Sequence, residues 1–204
     1  TRENPIIWQA YPGESVRLIG AINLSGFTPY KDSIVKTDVS AMNLPKSACR
    51  QLFVNGSRQI LARWPNKGEG EIPGGAWAFI GASVESDKNQ SFIFAGDRPA
   101  SWTQKEGMEV SIWPNYNWWQ TVASVASIDP SAHAVHLSEK LPYTIEPGSR
   151  YYFQNIFEEL DAPGEWYLDE AGKALYLFPT SPVENAEIFF PICDNLLQIE
   201  GAAH

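Results

Sequence analysis

The stretch WYLDEAGKALYLF, residues 166–178, decides the fold class of this 204-residue chain. Aromatic and aliphatic residues on both sides of the turn at 170–173 predict a β-hairpin. A second hairpin is predicted where Asn55-Gly56 separates two apolar runs, because both central residues of a type I′ turn need positive φ and this pair tolerates it. A third hairpin is predicted across the turn at 129–132, between the runs 121–128 and 134–137.

The remainder of the chain repeats this pattern of short apolar runs and turns. It contains 15 Gly and 15 Pro, and no segment keeps the apolar spacing of an amphipathic helix over three turns. One short helix is expected at 155–160, ended by Pro163 and Gly164. We therefore predict an all-β fold, built on a β-sandwich or barrel-like domain with at most one short helix.

The charge of the chain limits its partners. A net charge of −9 argues against nucleic acid or an anionic membrane, since both attract a basic surface. The charge is uneven, at +4 over residues 1–70 and −13 over residues 71–204. The basic residues Arg50, Arg58, Arg63 and Lys67 are spread along the sequence, so we interpret them as an ordinary solvated face.

Neither a cofactor nor a metal is predicted. The sequence lacks the glycine-rich motifs that hold dinucleotides or phosphates. His133 and His136 have a possible ligand spacing, but a strand there would direct them to opposite faces. Cys49 and Cys193 lie in apolar settings and are interpreted as buried thiols, with a disulfide between them left open. No apolar run of about 18 residues exists, so no membrane span is predicted.

The stretch WPNYNWWQ, residues 113–120, is the strongest candidate for a binding site. Flat aromatic rings stack on the apolar faces of sugars, and amide side chains both donate to and accept from hydroxyl groups. The alternative is that these Trp residues fill a core or an interface. A second cluster surrounds Trp64. The residues expected to contact a polysaccharide or oligosaccharide are Trp113, Asn115, Tyr116, Asn117, Trp118, Trp119, Arg63 and Trp64.

Four acidic residues near the predicted helix are the candidates for a catalytic role. Glycoside hydrolysis needs two carboxylates on opposite sides of one sugar bond. The candidate carboxylates are those of Glu158, Glu159, Asp161 and Glu165. Adjacent acidic residues at the end of a helix are more often a solvated face, and no further catalytic motif accompanies them. We therefore assign no catalytic residue.

Several segments resemble a known family. They are residues 4–20, residues 51–66, the stretch YYFQNIFEELDAPGEWYLD at 151–169, and residues 194–201. These segments resemble the first rungs, and the segments between them, of bacterial right-handed parallel β-helix glycoside hydrolases. That group includes xylosidases, xylanases and fucosidases. The stretch at 151–169 is the most specific match, and residues 72–105 match least.

The resemblance implies a division of the chain and a place in a larger enzyme. Residues 1–49 would form the first β-helix rung strands and lead-in, 50–185 an inserted β-sandwich or barrel domain, and 186–204 the start of the next rung. Thr1 and His204 would then be cuts in a longer secreted or periplasmic protein. In such enzymes the catalytic carboxylates lie on later rungs, so none can be carried over to this chain.

Four functions remain open from the sequence. The first is a non-catalytic β-domain of a polysaccharide-degrading enzyme, contributing an aromatic carbohydrate-contacting surface beside the remainder of the parent enzyme. The parent would be a glycoside hydrolase, with a polysaccharide lyase as the alternative. The second is a free-standing carbohydrate-binding module, the third a purely structural domain, and the fourth an enzyme that uses its own acidic patch.

Overall fold

The computed structural model describes residues 7–42, 51–68, 76–103 and 107–200. Within these ranges the chain forms short β-strands, two 3-10 helices and no α-helix, so the predicted fold class is confirmed. In chain order the strands are β1 (Ala21–Asn23), β2 (Thr28–Lys31), β3 (Ile34–Asp38), β4 (Phe53–Val54), β5 (Ser57–Arg58), β6 (Ile60–Leu61), β7 (Arg63–Trp64), β8 (Ala78–Ser83), β9 (Ser91–Phe94), β10 (Glu109–Ile112), β11 (Thr121–Asp129), β12 (Ala134–Leu137), β13 (Arg150–Gln154), β14 (Glu165–Asp169), β15 (Ala174–Leu177) and β16 (Ile188–Pro191). The 3-10 helices are Pro99–Ser101 and Phe157–Glu159.

The largest sheet closes into a barrel. Strands β10, β11, β12, β9, β8 and β13 pair in that order, and β13 pairs again with β10. The sheet extends from β13 to β7. The first part of β13 pairs with β8 through Arg150 and Tyr151, and its last part pairs with β7 through Phe153 and Gln154. Side chains alternate along a strand, so Tyr151 and Phe153 are fully buried in the barrel core. Arg150, Tyr152 and Gln154 lie on the outer face.

Two smaller sheets share a second core. One has the order β2-β3-β15-β14-β6, and the other has the order β1-β16-β4-β5. Buried side chains from both meet, as where the rings of Trp166 and Phe190 pack edge to face at 5.8 Å. The five-stranded sheet joins β2 and β3, from the predicted segment 1–49, to β14 and β15, from the predicted segment 50–185. The division at residues 49 and 185 stays a prediction.

The three predicted hairpins are present in the structure. Strands β4 and β5 pair around Asn55 and Gly56, whose φ values of 49° and 78° fit a type I′ turn. The pairs β11–β12 and β14–β15 are the other two. The predicted helix at 155–160 is reduced to a single 3-10 turn. Asn155 before it has a φ of 57°, and its side chain is bonded to the backbone of Leu168.

Gly56→Ala is expected to lower the free energy of unfolding by about 1–2 kcal/mol, the cost of a left-handed backbone for an L-residue. A Cβ at Gly56 would meet no atom within 4 Å, so the cost comes from φ alone. Gly68→Ala is the matched control, because its φ is not in this region and its Cβ would also meet nothing. Equal effects in chemical denaturation would contradict this turn assignment.

The flanking segments differ from the expected β-helix strands. Residues 7–20 and 192–200 form no strand, and β1, β16 and β4 pair antiparallel. Trp8 is 78% exposed. Cys193 is exposed, contrary to its interpretation as a buried thiol, and Cys49 lies outside the described residues. No helix in the described ranges has the length and apolar character needed to cross a membrane.

Candidate functional site

The loop between β10 and β11 presents an aromatic platform, formed by Tyr116, Trp118, Trp119 and Tyr143. Tyr116 stacks on Trp118 at 5.4 Å, and the rings of Trp119 and Tyr143 pack edge to face at 5.4 Å. Tyr143 comes from the chain before β13 and also packs against Tyr116. Trp118 is 71% exposed and Trp119 is 38% exposed. The expected aromatic cluster is therefore on the surface, with its rings held by one another.

The base of this loop is fixed on the barrel. Trp113 lies edge to face on Trp77 at 4.7 Å, and the Arg150 guanidinium lies over both rings, 4.5 Å from Trp113 and 4.9 Å from Trp77. Arg150 Nη2 donates to the carbonyl oxygen of Asn117 at 3.0 Å. Gln120 Nε2 donates to Ser111 Oγ at 2.6 Å. These contacts hold both ends of the platform loop.

An outer groove of about 510 Å³ lies on the barrel face beside the loop base. Its aromatic wall is formed by Trp77, Trp113 and Tyr152, and its polar wall includes the amides of Gln120 and Gln154. Three cationic residues, Arg58, Arg63 and Lys67, also line the groove. The volume is within the range of about 300–1,000 Å³ that is typical of small-molecule sites.

Arg63 is built into the floor of the outer groove. It is 5% exposed, and its guanidinium lies 3.7 Å from the ring centre of Tyr152. Nε donates to the carbonyl oxygen of Pro65 and Nη2 to that of Ala76, both at 2.8 Å. Burial lowers the pKa of Arg63, while Tyr152 and Glu165 act in the opposite direction. An arginine nevertheless stays charged in proteins.

The structure separates the two residues of β7 that were predicted together. Arg63 is opposite Gln154 and shares the outer face, whereas Trp64 is opposite Phe153 and shares the inner face. Trp64 packs against the barrel core and edge to face on Trp102 at 5.8 Å. The other predicted residues lie on or beneath the platform loop. Asn115 and Asn117 are exposed there, and Trp113 lies at its base.

Sequence reasoning did not identify several residues of this region. Tyr143, Tyr152, Arg150 and the groove role of Trp77 were missed. The alternation of Arg150, Tyr152 and Gln154 in β13 was a usable signal, because a strand with one buried face exposes every second side chain. Trp77 is half-buried in the wall of the outer groove.

The acidic patch does not form a solvated face throughout. Glu159 and Glu165 are buried, at 1% and 2% exposure. Burial raises the pKa of Glu165 to about 7, although the Ala162 and Asp161 backbone N–H groups donate to its carboxylate and oppose this shift. Glu158 is exposed and accepts from the Thr103 N–H at 3.0 Å. Two of the four candidate carboxylates are thus inaccessible to a sugar.

A Ser, His and Asp cluster occurs on the barrel without the geometry of a nucleophile relay. Ser91 Oγ lies 2.9 Å from His136 Nδ1 and 3.1 Å from Asp87 Oδ2. The serine is therefore in the middle, whereas a relay places histidine between serine and carboxylate. Ser91 is also only 1% exposed. No group of three or more His, Cys, Asp or Glu that could hold a metal occurs within the described ranges.

Comparison with known proteins gives one relevant structural likeness. No protein-family model matches the chain, and no curated protein matches it. A solved structure described as "Glycoside hydrolase" superposes with a TM-score of 0.70 at 18% identity, over 90% of this chain and 33% of that chain. This chain thus spans about a third of the length of that protein. At this identity the likeness shows that the fold recurs in a glycoside hydrolase.

Proposed function

We propose that this chain is a carbohydrate-contacting, non-catalytic β-domain of a polysaccharide-degrading glycoside hydrolase. The observation that carries the proposal is the aromatic platform, exposed on a loop whose two ends are fixed to the barrel. The outer groove begins at the base of the same loop. A polysaccharide chain that lies on the platform can therefore place an adjoining sugar unit in the groove.

The chemistry of the platform fits a sugar ligand. Trp118 exposes most of its surface, and large exposed aromatic surfaces often mark binding sites. Sugar C–H faces pack against such rings. The amides of Asn115 and Asn117 lie on the same loop and can bond hydroxyl groups. Because Tyr116, Trp119 and Tyr143 hold the rings in place, little side-chain entropy is lost when a ligand binds.

The flanks of the domain support a place within a longer enzyme. The paired strands β1 and β16 bring the segments before and after them to one edge, where Ile192 N–H donates to the Gly20 carbonyl oxygen at 3.0 Å. These segments expose Trp8, Leu18 and Leu196 by 60–78%. We propose that this apolar surface contacts the remainder of a secreted or periplasmic parent enzyme of the parallel β-helix type.

The exposed platform, the buried acidic residues and the apolar flanks together favour this function over its alternatives. A purely structural role would bury the aromatic cluster, and Trp118 is 71% exposed. Catalysis by the acidic patch has less support, because Glu159 and Glu165 are buried and only Glu158 and Asp161 are exposed. A free-standing carbohydrate-binding module would use the same platform, but it would leave the apolar flanks without a role.

Trp118→Ala is expected to weaken binding of xylan, fucosylated or galactan oligosaccharides about tenfold, the effect of losing a central aromatic contact. Isothermal titration calorimetry of wild type and variant measures it. Trp8→Ala is the matched control, because Trp8 is similarly exposed but lies outside the platform. The proposal is contradicted if both variants bind as the wild type does, or if Trp118→Ala unfolds the protein.

A further inference from the structure

The outer groove gathers positive charge on a negatively charged protein. Arg58, Arg63 and Lys67 line it, and no Asp or Glu from the described ranges belongs to its lining, while the whole chain carries −9. We propose that this groove binds a negatively charged sugar unit, carrying a carboxylate or a sulfate group. This inference rests on the proposed function and specifies the class of polysaccharide.

The sequence interpretation of these basic residues is wrong in one respect. They were expected to form an ordinary solvated face because they are spread along the chain. The structure brings three of them to one groove, and Arg63 is buried there at 5% exposure. Arg50 lies outside the described residues. A buried arginine is costly unless its environment compensates it, so its position in the groove floor is unlike that of a solvated charge.

Arg63 supplies a fixed positive charge. At Nε and Nη2 it donates to backbone carbonyl oxygens rather than to a carboxylate, so these bonds orient the guanidinium without neutralising it. Stacking on Tyr152 at 3.7 Å fixes its plane. A charge held in a partly desolvated groove acts on an anion more strongly than the same charge in water.

Arg58 and Lys67 supply the direct contacts. Both are exposed, so their charged groups can reach a ligand in the groove. The planar fork of an arginine matches the paired oxygens of a carboxylate or sulfate, and charge-assisted bonds of this kind are the stronger ones. Tyr152 and Trp113 add aromatic surface to the lining that a sugar ring can contact. The carboxylate of Glu109, beyond the lining, accepts a bond from Gln154 Nε2 at 2.7 Å.

Matched ligands and variants test the inference. Oligogalacturonate and its methyl ester differ in charge at the same sugar ring, and a sulfated galactan oligosaccharide with its desulfated form provides the second pair. We expect at least one charged ligand to bind about tenfold more tightly than its neutral partner at low salt, and the difference to shrink in high salt. Arg58→Gln/Lys67→Gln should reduce the preference several-fold, with the fixed charge of Arg63 retaining the remainder. Lys31→Gln on β2 is the control and should keep it.

The outcomes separate this inference from the function on which it rests. A preference for oligogalacturonate that depends on Arg58 and Lys67 assigns a carboxylate, and the same result with the sulfated ligand assigns a sulfate. If charged and neutral ligands bind equally, the carbohydrate surface stands and the anionic specificity is overturned. If neither member of either pair binds, nor the neutral glycans tested with Trp118→Ala, both proposals fail. Unchanged thermal denaturation confirms that each variant is folded.

Discussion

Arg98→Ala is expected to lower the free energy of unfolding by about 3 kcal/mol, the lower end for a broken buried ion pair, because the Glu159 carboxylate is buried while Arg98 is half exposed. Arg98 Nε and Nη2 donate to the two carboxylate oxygens of Glu159 at 2.7 and 2.9 Å. Glu159 is 1% exposed. The indole N–H of Trp102 also donates to Glu159, but a neutral donor cannot replace the lost charge.

This ion pair connects two parts of the fold. Trp102 fills the barrel core beside the 3-10 helix Pro99–Ser101, and Glu159 ends the turn that leads to β14. Arg98 also lies 3.9 Å from Asp161, whose other oxygen accepts from Asn66 Nδ2 at 2.8 Å. An exposed pair would contribute only about 0–1 kcal/mol, so the burial of Glu159 accounts for the large expected effect.

A double variant that also removes the charge of Glu159 identifies the cause of this effect. Arg98→Ala/Glu159→Gln removes both charges, and the introduced glutamine side chain would keep an amide oxygen as acceptor for the indole N–H of Trp102. We expect the double variant to be clearly more stable than Arg98→Ala alone in chemical denaturation. Equal instability of the two variants would show that lost packing, rather than an unpaired buried charge, is responsible.

Glu165→Gln is expected to change the pH dependence of stability by about 3 kcal/mol, the equivalent of a pKa raised from 4.5 to about 7. A carboxyl with a raised pKa in the folded protein stabilises it fully below pH 4.5, and this contribution is lost as the pH rises towards 7. Glutamine does not titrate. The variant should therefore gain stability relative to the wild type between pH 4.5 and 7.5.

Chemical denaturation from about pH 2.5 to about pH 7.5 measures the difference for Glu165→Gln and for a control. Asp38→Asn provides a control of opposite sign, because the Ser40 backbone N–H lowers the pKa of Asp38, and its contribution is lost as the pH falls below 3.8. A difference between Glu165→Gln and wild type that stays constant from pH 4.5 to 7.5 would contradict a pKa of Glu165 that burial has raised.

The local parts of the fold could be predicted from the sequence because their causes are local. The Asn55-Gly56 turn needs only its own two residues, and its φ values match the expectation. Barrel closure could not be predicted, since the pairing of β10 with β13 joins residues about forty positions apart. Nothing in either strand alone specifies its partner. The choice between sandwich and barrel therefore stayed open.

The candidate site was predicted in part for the same reason. Residues 113–120 form one loop, so its aromatic cluster was visible in the sequence. The contact of Arg63 with Tyr152, in contrast, joins two strands that are far apart in the sequence. The sequence could identify the adjacent residues Arg63 and Trp64 as candidates for contact with a carbohydrate. It could not show which of the two faces the outer groove and which the core, because that depends on the pairing of β7 with β13.

The central claim is that the platform and the outer groove bind carbohydrate, and the indole N–H signals of the eight Trp residues test it directly. Nitrogen–proton correlation NMR would be recorded while the neutral and anionic oligosaccharides are titrated. We predict that the signals of Trp113, Trp118 and Trp119 shift, whereas those of the buried Trp102 and Trp166 do not. No shift with any oligosaccharide, or shifts confined to Trp8, would contradict the claim.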